Sequence, residues 1–354
     1  MPDPDRPSRL ARYLALAYVA LVVYASLYPL SGWRTAVPGP FEFLLAPLPR
    51  YFTAFDLAIN VLGYVPLGFL LAASVRPSRS AAFAVVFAVV AAGALSLVCE
   101  AMQSYLPARI ASNLDLATNV LGAGAGALAS VWLDRRLAGR GAWRTLRERH
   151  FREGHDIDIG LVLLALWLLS QLDPVTLLFG MGDLRELLAS PTTTPYPPGA
   201  FVRVEAFVAA SNMLAAALLA RLLVAPGRAL FAVLALVVAA LAVRSLAFGM
   251  LFSPENAFAW LTPGARLGLA AGTVVAALAL RLPRPIAVTM AGLALMAATT
   301  VVNIAPVNPY LTQALAEWRQ GHFLNFNGLT RLVSAAWPFA ALVYLLSAAR
   351  WRES

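Results

Sequence analysis

Lysine is absent from the 354 residues, cysteine occurs once and histidine three times. The lone Cys99 excludes an intramolecular disulfide, and with it a disulfide-stapled secreted scaffold. Only 13% of the residues are charged and 60% are hydrophobic, where a soluble globular chain carries roughly a quarter charged residues. That balance excludes a disordered chain and an ordinary cytosolic enzyme. No Walker loop or dinucleotide fingerprint occurs. The run Gly122-Ala123-Gly124-Ala125-Gly126 falls inside an apolar stretch, where helix packing explains it. His150 and His155 lie in a basic segment and His322 in a late loop. The first third of the chain therefore has no histidine for a nucleophile–base pair or a zinc site. Asp56, Glu100 and Asp115 have the oxygen ligands for a hard cation, and spacing alone does not show whether they converge on one point. No catalytic residue, metal or cofactor is assigned.

What the chain has in quantity is long apolar runs. A helix needs roughly 20 apolar residues to cross about 30 Å of hydrocarbon. Ten spans are predicted, at 10–29, 57–75, 81–105, 114–133, 157–173, 204–223, 229–248, 264–281, 286–303 and 331–349. The fifth is the shortest, and the eighth is rich in alanine and glycine. The fold class is thus all-α, a polytopic helical membrane protein with about ten transmembrane helices. The net charge of +9 comes entirely from arginine. In a soluble chain it would suggest nucleic acid; here the arginines fall between apolar runs and report topology. With the N-terminus inside, eighteen arginines lie in cytoplasmic segments and eight in the opposite loops. Both termini are predicted in the cytoplasm and the chain in the inner (plasma) membrane. The loops 30–55, 174–203 and 304–330 are predicted outside, with segment 309–319 as a short interfacial helix. Segment 136–156 is a basic cytoplasmic linker between a four-helix domain, 1–135, and a six-helix domain, 157–354.

Residues 56–63 and 115–122 match at seven of eight positions, 59 residues apart. Both copies open a helix after a Thr or Ser three residues earlier, as in a capping box. Two crossings separate them, so the four-helix domain reads as two parallel hairpin repeats. Asp56 with Asn60, and Asp115 with Asn119, stand four apart and share a helix face. Gly63 and Gly122 continue the same stripes, which are expected to meet between the second and fourth helices.

The third helix adds Glu100 and Gln103, and a short loop adds Arg109 and Ser112. One membrane face thus gathers Asp56, Asn60, Glu100, Gln103, Arg109, Ser112, Asp115 and Asn119. Carboxylates at membrane depth face a bundle interior or a wet cavity. Either these groups bond one another and fix helix register, or they form a polar pocket open to the outer face. Arg109 is placed to pair with Glu100 or with an anionic ligand. In the second domain Arg244 lies near the outer end of its helix, positioned to snorkel to the interface, with Glu205, Glu255 and Arg266 near the same face.

The ordered set Tyr24 to Pro29, Asp56 to Gly68, Glu100-x-x-Gln103, Arg109, Ser112, Asp115, Asn119 and Gly122 resembles the VanZ-like family of membrane proteins over about residues 1–135. The resemblance implies a cell-envelope context; the founding member is associated with resistance to teicoplanin-type glycopeptides. It implies no reaction, and six helices exceed the minimal domain. Membrane lipids are the expected partners, with a lipid or glycolipid headgroup or a lipophilic drug as ligand and no nucleic acid. A flippase or transporter, or a membrane enzyme acting on an outer-leaflet lipid, are the alternatives. The topology is testable directly. Reporter fusions at Gly139 and Thr193 are expected to give opposite signals, cytoplasmic and periplasmic; two periplasmic signals would refute the ten-span model.

Overall fold

The computed structural model describes residues 9–35, 39–49, 52–76, 78–136, 149–152, 154–185, 198–305 and 324–349. Among these residues there is no strand, and ten helices run in order: α1 Arg9–Leu27, α2 Ala54–Val75, α3 Ala81–Gln103, α4 Asn113–Arg136, α5 His155–Ser170, α6 Pro198–Leu223, α7 Ala229–Leu251, α8 Pro263–Ala279, α9 Arg284–Ile304 and α10 Leu324–Ala348. Eight of them are long and apolar enough to cross a membrane. The two that are not are α5 and α8, with 16 and 17 residues, the pair whose apolar runs were weakest in the sequence. The basic stretch 137–148, the predicted interfacial helix 309–319 and His322 lie outside the described residues.

Each predicted span has its helix, with physical reasons for the shifted ends. Helix α5 stops at Ser170, short of the predicted 173. Asp173-Pro174 follows, and proline lacks an N–H and pushes its predecessor into extended backbone. Helices α6 and α10 start earlier than their apolar windows, at Pro198 and Leu324. A helix runs on through polar residues, here Arg203 in α6 and Asn325 and Asn327 in α10, where a hydropathy window closes.

The chain forms two compact units, residues 1–149 and 150–354. In the first, α1–α4 form a bundle whose most extensive contact joins α2 to α4. That contact is backbone on backbone. A Cβ added at Gly122 or Gly126 would strike the carbonyls of Val61 and Val65, and one at Gly68 would strike that of Ala123. Such small-residue stripes let helices approach closely where lipid supplies no hydrophobic drive. Val61 opposite Gly122, and Val65 opposite Gly126, make α2 and α4 parallel neighbours, in a register within two residues of the 59-residue offset. At the far end Arg76 pairs with Asp134 at 2.7 Å, tying the end of α2 to that of α4. The expected meeting of glycine stripes is only half realised. Gly122 is in the interface, but Gly63 has open space about it, and its carbonyl instead accepts the Tyr18 hydroxyl of α1 at 2.8 Å.

In the second unit α6 is the central helix, packed on α8, α9, α7 and α5. Gly264, Gly268 and Gly272 of α8 lie at i, i+4 spacing against Glu205, Ala206 and Ala210 of α6. The Trp337 indole of α10 donates to the Leu163 carbonyl of α5 at 2.7 Å.

The two repeat copies give a controlled test of packing. Gly122→Ala is expected to destabilise the purified protein by about 1–3 kcal/mol, the usual range for overpacking, because a backbone carbonyl stands in the way. Gly63→Ala, at the equivalent position with free space, is expected to be neutral or stabilising by about 0.5–1 kcal/mol. Thermal unfolding in detergent reads both; equal effects would refute the asymmetric interface.

Candidate polar site of the first unit

The site lies at the end of the bundle where α2 and α4 begin, the end that the arginine distribution assigns to the outside. Thr53 opens α2 with a full capping box: its Oγ1 accepts from the Asp56 N–H at 3.1 Å, and Asp56 Oδ2 accepts from the Thr53 N–H at 2.9 Å and from its hydroxyl at 2.7 Å. The second copy starts alike, with Ser112 Oγ accepting from the Asp115 N–H at 3.3 Å and the Leu114 N–H at 3.2 Å. The reciprocal bond differs. The Ser112 N–H donates to Glu100 Oε2 of α3 at 2.9 Å, so the Asp115 carboxylate is released from its own cap. Across the α2–α4 contact it stands near the Asn60 amide and close enough to Asp56 to feel its charge.

Three helices thus present polar ladders at i, i+4 spacing, one rung per turn. They are Asp56, Asn60 and Tyr64 on α2; Ser96 and Glu100 on α3; Asp115 and Asn119 on α4. Their floor is Ser96, fully buried, whose hydroxyl accepts from Asn119 Nδ2 at 2.9 Å and is also a partner of Tyr64. Glu100 is only 4% exposed and Asn119 6%. The structure places Asp56 at the exposed rim, Asn60 and Asp115 half-buried below it, and Glu100, Ser112 and Asn119 inside.

Gln103 and Arg109 are bonded to backbone carbonyls. Gln103 Nε2 donates to the Ser26 carbonyl at 3.1 Å. Arg109 Nε donates to the Tyr28 carbonyl at 3.0 Å and Nη2 to the Ala25 carbonyl at 2.7 Å. Between them these side chains occupy the Ala25 and Ser26 carbonyls, which the last turn of α1 leaves without intrahelical donors, and the Tyr28 carbonyl just beyond it. Of the two expectations for Glu100 and Arg109, an ion pair or a shared ligand, the ion pair is not formed. The two charges act on each other only at longer range: burial lowers the Arg109 pKa from its ordinary value and Glu100 opposes that shift.

Ser96 and Tyr64 were missed by the sequence reading. Each extends a ladder by one turn, four residues before Glu100 and four after Asn60, and that spacing was the available signal. Among the described residues no group of three His, Cys, Asp or Glu side chains is placed to hold a metal ion.

Compared with known families, residues 13–134 match the model described as VanZ/LLP1. The first unit carries a VanZ-like domain. No curated protein and no solved structure gave a match. The matched stretch contains every residue of the polar ladders, and the second unit lies beyond it.

That unit holds buried charge of its own. Arg244 does not snorkel: it is 2% exposed and donates to the carbonyls of Asp173 and Thr176. Glu205 accepts from the Thr262 hydroxyl at 2.5 Å, at the start of α8. Arg266 caps the Leu261 carbonyl at 3.1 Å in an exposed position. Beyond α5 the chain stays largely buried without helix from Gln171 to Gly182, with positive φ at Phe179 and Gly182. It is held by Arg244, by Asn303 Nδ2 donating to the Gly182 carbonyl at 2.6 Å, and by the Gly182 N–H donating to the Ser334 carbonyl at 2.9 Å.

Arg109 gives the test of the VanZ-like domain's architecture. A hydrogen bond to a charged group is worth about 1.5–3 kcal/mol, so Arg109→Gln is expected to lower the thermal midpoint markedly. Arg109→Lys is expected to restore it only in part, because an ammonium lacks the planar fork that reaches two carbonyls. An unchanged midpoint in Arg109→Gln would show that the end of α1 is held by other contacts.

Proposed function

We propose that this integral membrane protein binds a polar headgroup, of a lipid, a glycolipid or a lipophilic glycopeptide, at the ladders of Asp56, Asn60, Glu100, Ser112, Asp115 and Asn119, and that its role lies in the cell envelope. The observation that carries the reading is the release of Asp115 by Glu100. A carboxylate present only to fix helix register would serve its own cap, as Asp56 does. Here a second buried carboxylate takes over that duty, at the cost of holding an acidic group at membrane depth. The VanZ/LLP1 match over residues 13–134 supports an envelope role, and glycopeptide susceptibility is the phenotype to measure first.

A carrier is the second reading. The buried irregular stretch Gln171–Gly182 favours it, because non-helical backbone within a membrane protein lies either inside protein or beside a wet cavity. Extracting lipids from a deletion strain separates the readings. Altered leaflet distribution supports a carrier, and altered drug susceptibility with unchanged lipids supports binding.

Glu100→Gln keeps the oxygen that accepts from Ser112 and removes the charge, so the variant is expected to accumulate in the membrane at the normal level. Together with Asp115→Asn it is expected to lose complementation of the deletion phenotype. Full complementation by both variants would overturn the reading, and loss confined to variants that fail to accumulate would reduce the ladders to a structural device.

A further inference from the structure

The second unit contains a slot between α5 and α10, with a volume of about 490 Å³. Ligand sites occupy roughly 300–1,000 Å³. Trp337 bonds to Leu163 and Tyr344 meets Gly160, so the two helices run antiparallel. The floor of the slot is Tyr344, 5% exposed. A Cβ at Gly160 would strike its ring and hydroxyl, so the missing side chain sinks the ring between the helices. One end is closed by the Trp337 indole, which donates to the Leu163 carbonyl at 2.7 Å. Ile159 forms one wall, Phe339 and Val343 the other, and all three are exposed. Ala340 between them is small and leaves the width open. The opposite end carries Asp156 and Ser347.

The slot is therefore apolar along its length, closed at one end and polar at the other. The arginine distribution assigns the start of α5 and the end of α10 to the cytoplasmic side, so the polar end meets the headgroups there. Phe339 to Ser347 is eight residue steps along α10, about 12 Å at 1.5 Å per residue. One leaflet contributes about half of a 30 Å hydrocarbon core, so the slot ends near the depth where an acyl chain ends. Asp156 is the one charged residue lining it among the described residues. Ser347 donates its hydroxyl hydrogen to the Tyr344 carbonyl at 2.7 Å and so presents an acceptor. Both mouth groups thus complement a positive group with N–H donors. We propose that the slot holds one acyl chain of a cytoplasmic-leaflet phospholipid, with its primary ammonium headgroup at Asp156. This site lies in the second unit and stands independently of the headgroup reading of the first.

Native mass spectrometry of the full chain provides the test. The protein is delipidated in detergent and titrated with phosphatidylethanolamine or phosphatidylglycerol of equal chain length. One phosphatidylethanolamine is expected to be retained at about tenfold lower lipid concentration than phosphatidylglycerol, the worth of one charge-assisted bond. Asp156→Asn is expected to abolish that preference. Ala340→Phe places a ring in the slot and is expected to remove the tightly held lipid. Val343→Trp, at a position 69% exposed, gives the same obstruction should Ala340→Phe fail to accumulate. Phosphatidylethanolamine with six-carbon chains is expected to escape retention, because it leaves the apolar length unfilled. Retention unchanged in both obstructed variants would overturn the slot assignment. Equal retention of the two phospholipids, or a preference that survives Asp156→Asn, would overturn the ammonium headgroup. A dimer that holds no lipid and is lost in the obstructed variants would show a second copy in the slot and overturn the proposal.

Discussion

The polar site depends on how closely α2 and α4 approach. In hydrocarbon two helices gain nothing by hiding apolar surface from lipid, so contact rests on packing and hydrogen bonds. Here Gly68, Gly122 and Gly126 let one backbone rest on the other. Ordinary helix pairs keep their axes about 8–10 Å apart; glycine removes a layer of side chain from that distance. The approach brings the Asp56–Asn60 ladder beside the Asp115–Asn119 ladder, within reach of a short asparagine amide. Ser96 and Glu100 of α3 bond to the α4 side of this contact, to Asn119 and Ser112. A side chain at any of the three glycines would separate the ladders before it disturbed any polar group, so the site's chemistry rests on residues that have none.

A second constraint shapes both units. Backbone groups freed at a helix end or a broken segment have no water to bond in the apolar region and must find protein partners. Arginine supplies them repeatedly. Arg109 donates to Ala25 and Tyr28, Arg221 to Leu282 at 2.6 Å, Arg185 to Ala305 at 2.7 Å, and Arg244 to Asp173 and Thr176. The guanidinium suits this work because its donors point in fixed directions from one plane and can serve two carbonyls at once. In a chain without lysine, several arginines that look like topology markers are also clamps on the backbone.

How far the sequence could be read follows from that distinction. The spans were legible because a crossing helix needs a long apolar run, and the weakest runs became the shortest helices, α5 and α8. Most of the ladder residues were legible because i, i+4 spacing fixes a helix face without knowledge of the neighbours. The roles of Arg109 and Arg244 were not. A charged side chain suggests a charged partner, yet both bind carbonyls, and every residue carries one, so no motif records the pairing. Gly63 and Gly122 show the same limit. They occupy equivalent places in nearly identical octapeptides, but which of them touches another backbone depends on the neighbouring helices. Tyr18 of α1 occupies the carbonyl of Gly63, while α2 itself covers Gly122.

The proposed binding role rests on a departure from repeat symmetry. Were both copies alike, each carboxylate would close on its own cap, and the bundle would contain two satisfied helix starts and no functional polarity. Thr53 and Asp56 do close in this way. In the second copy α3 intervenes: Glu100 takes the Ser112 N–H, and Asp115 turns to Asn60. A single hydrogen bond between α3 and the start of α4 thus converts a local helix-capping motif into a group that faces the neighbouring helix. The carboxylate is retained while its own cap donor goes to Glu100, which is the condition the proposed binding requires and a purely structural cap avoids.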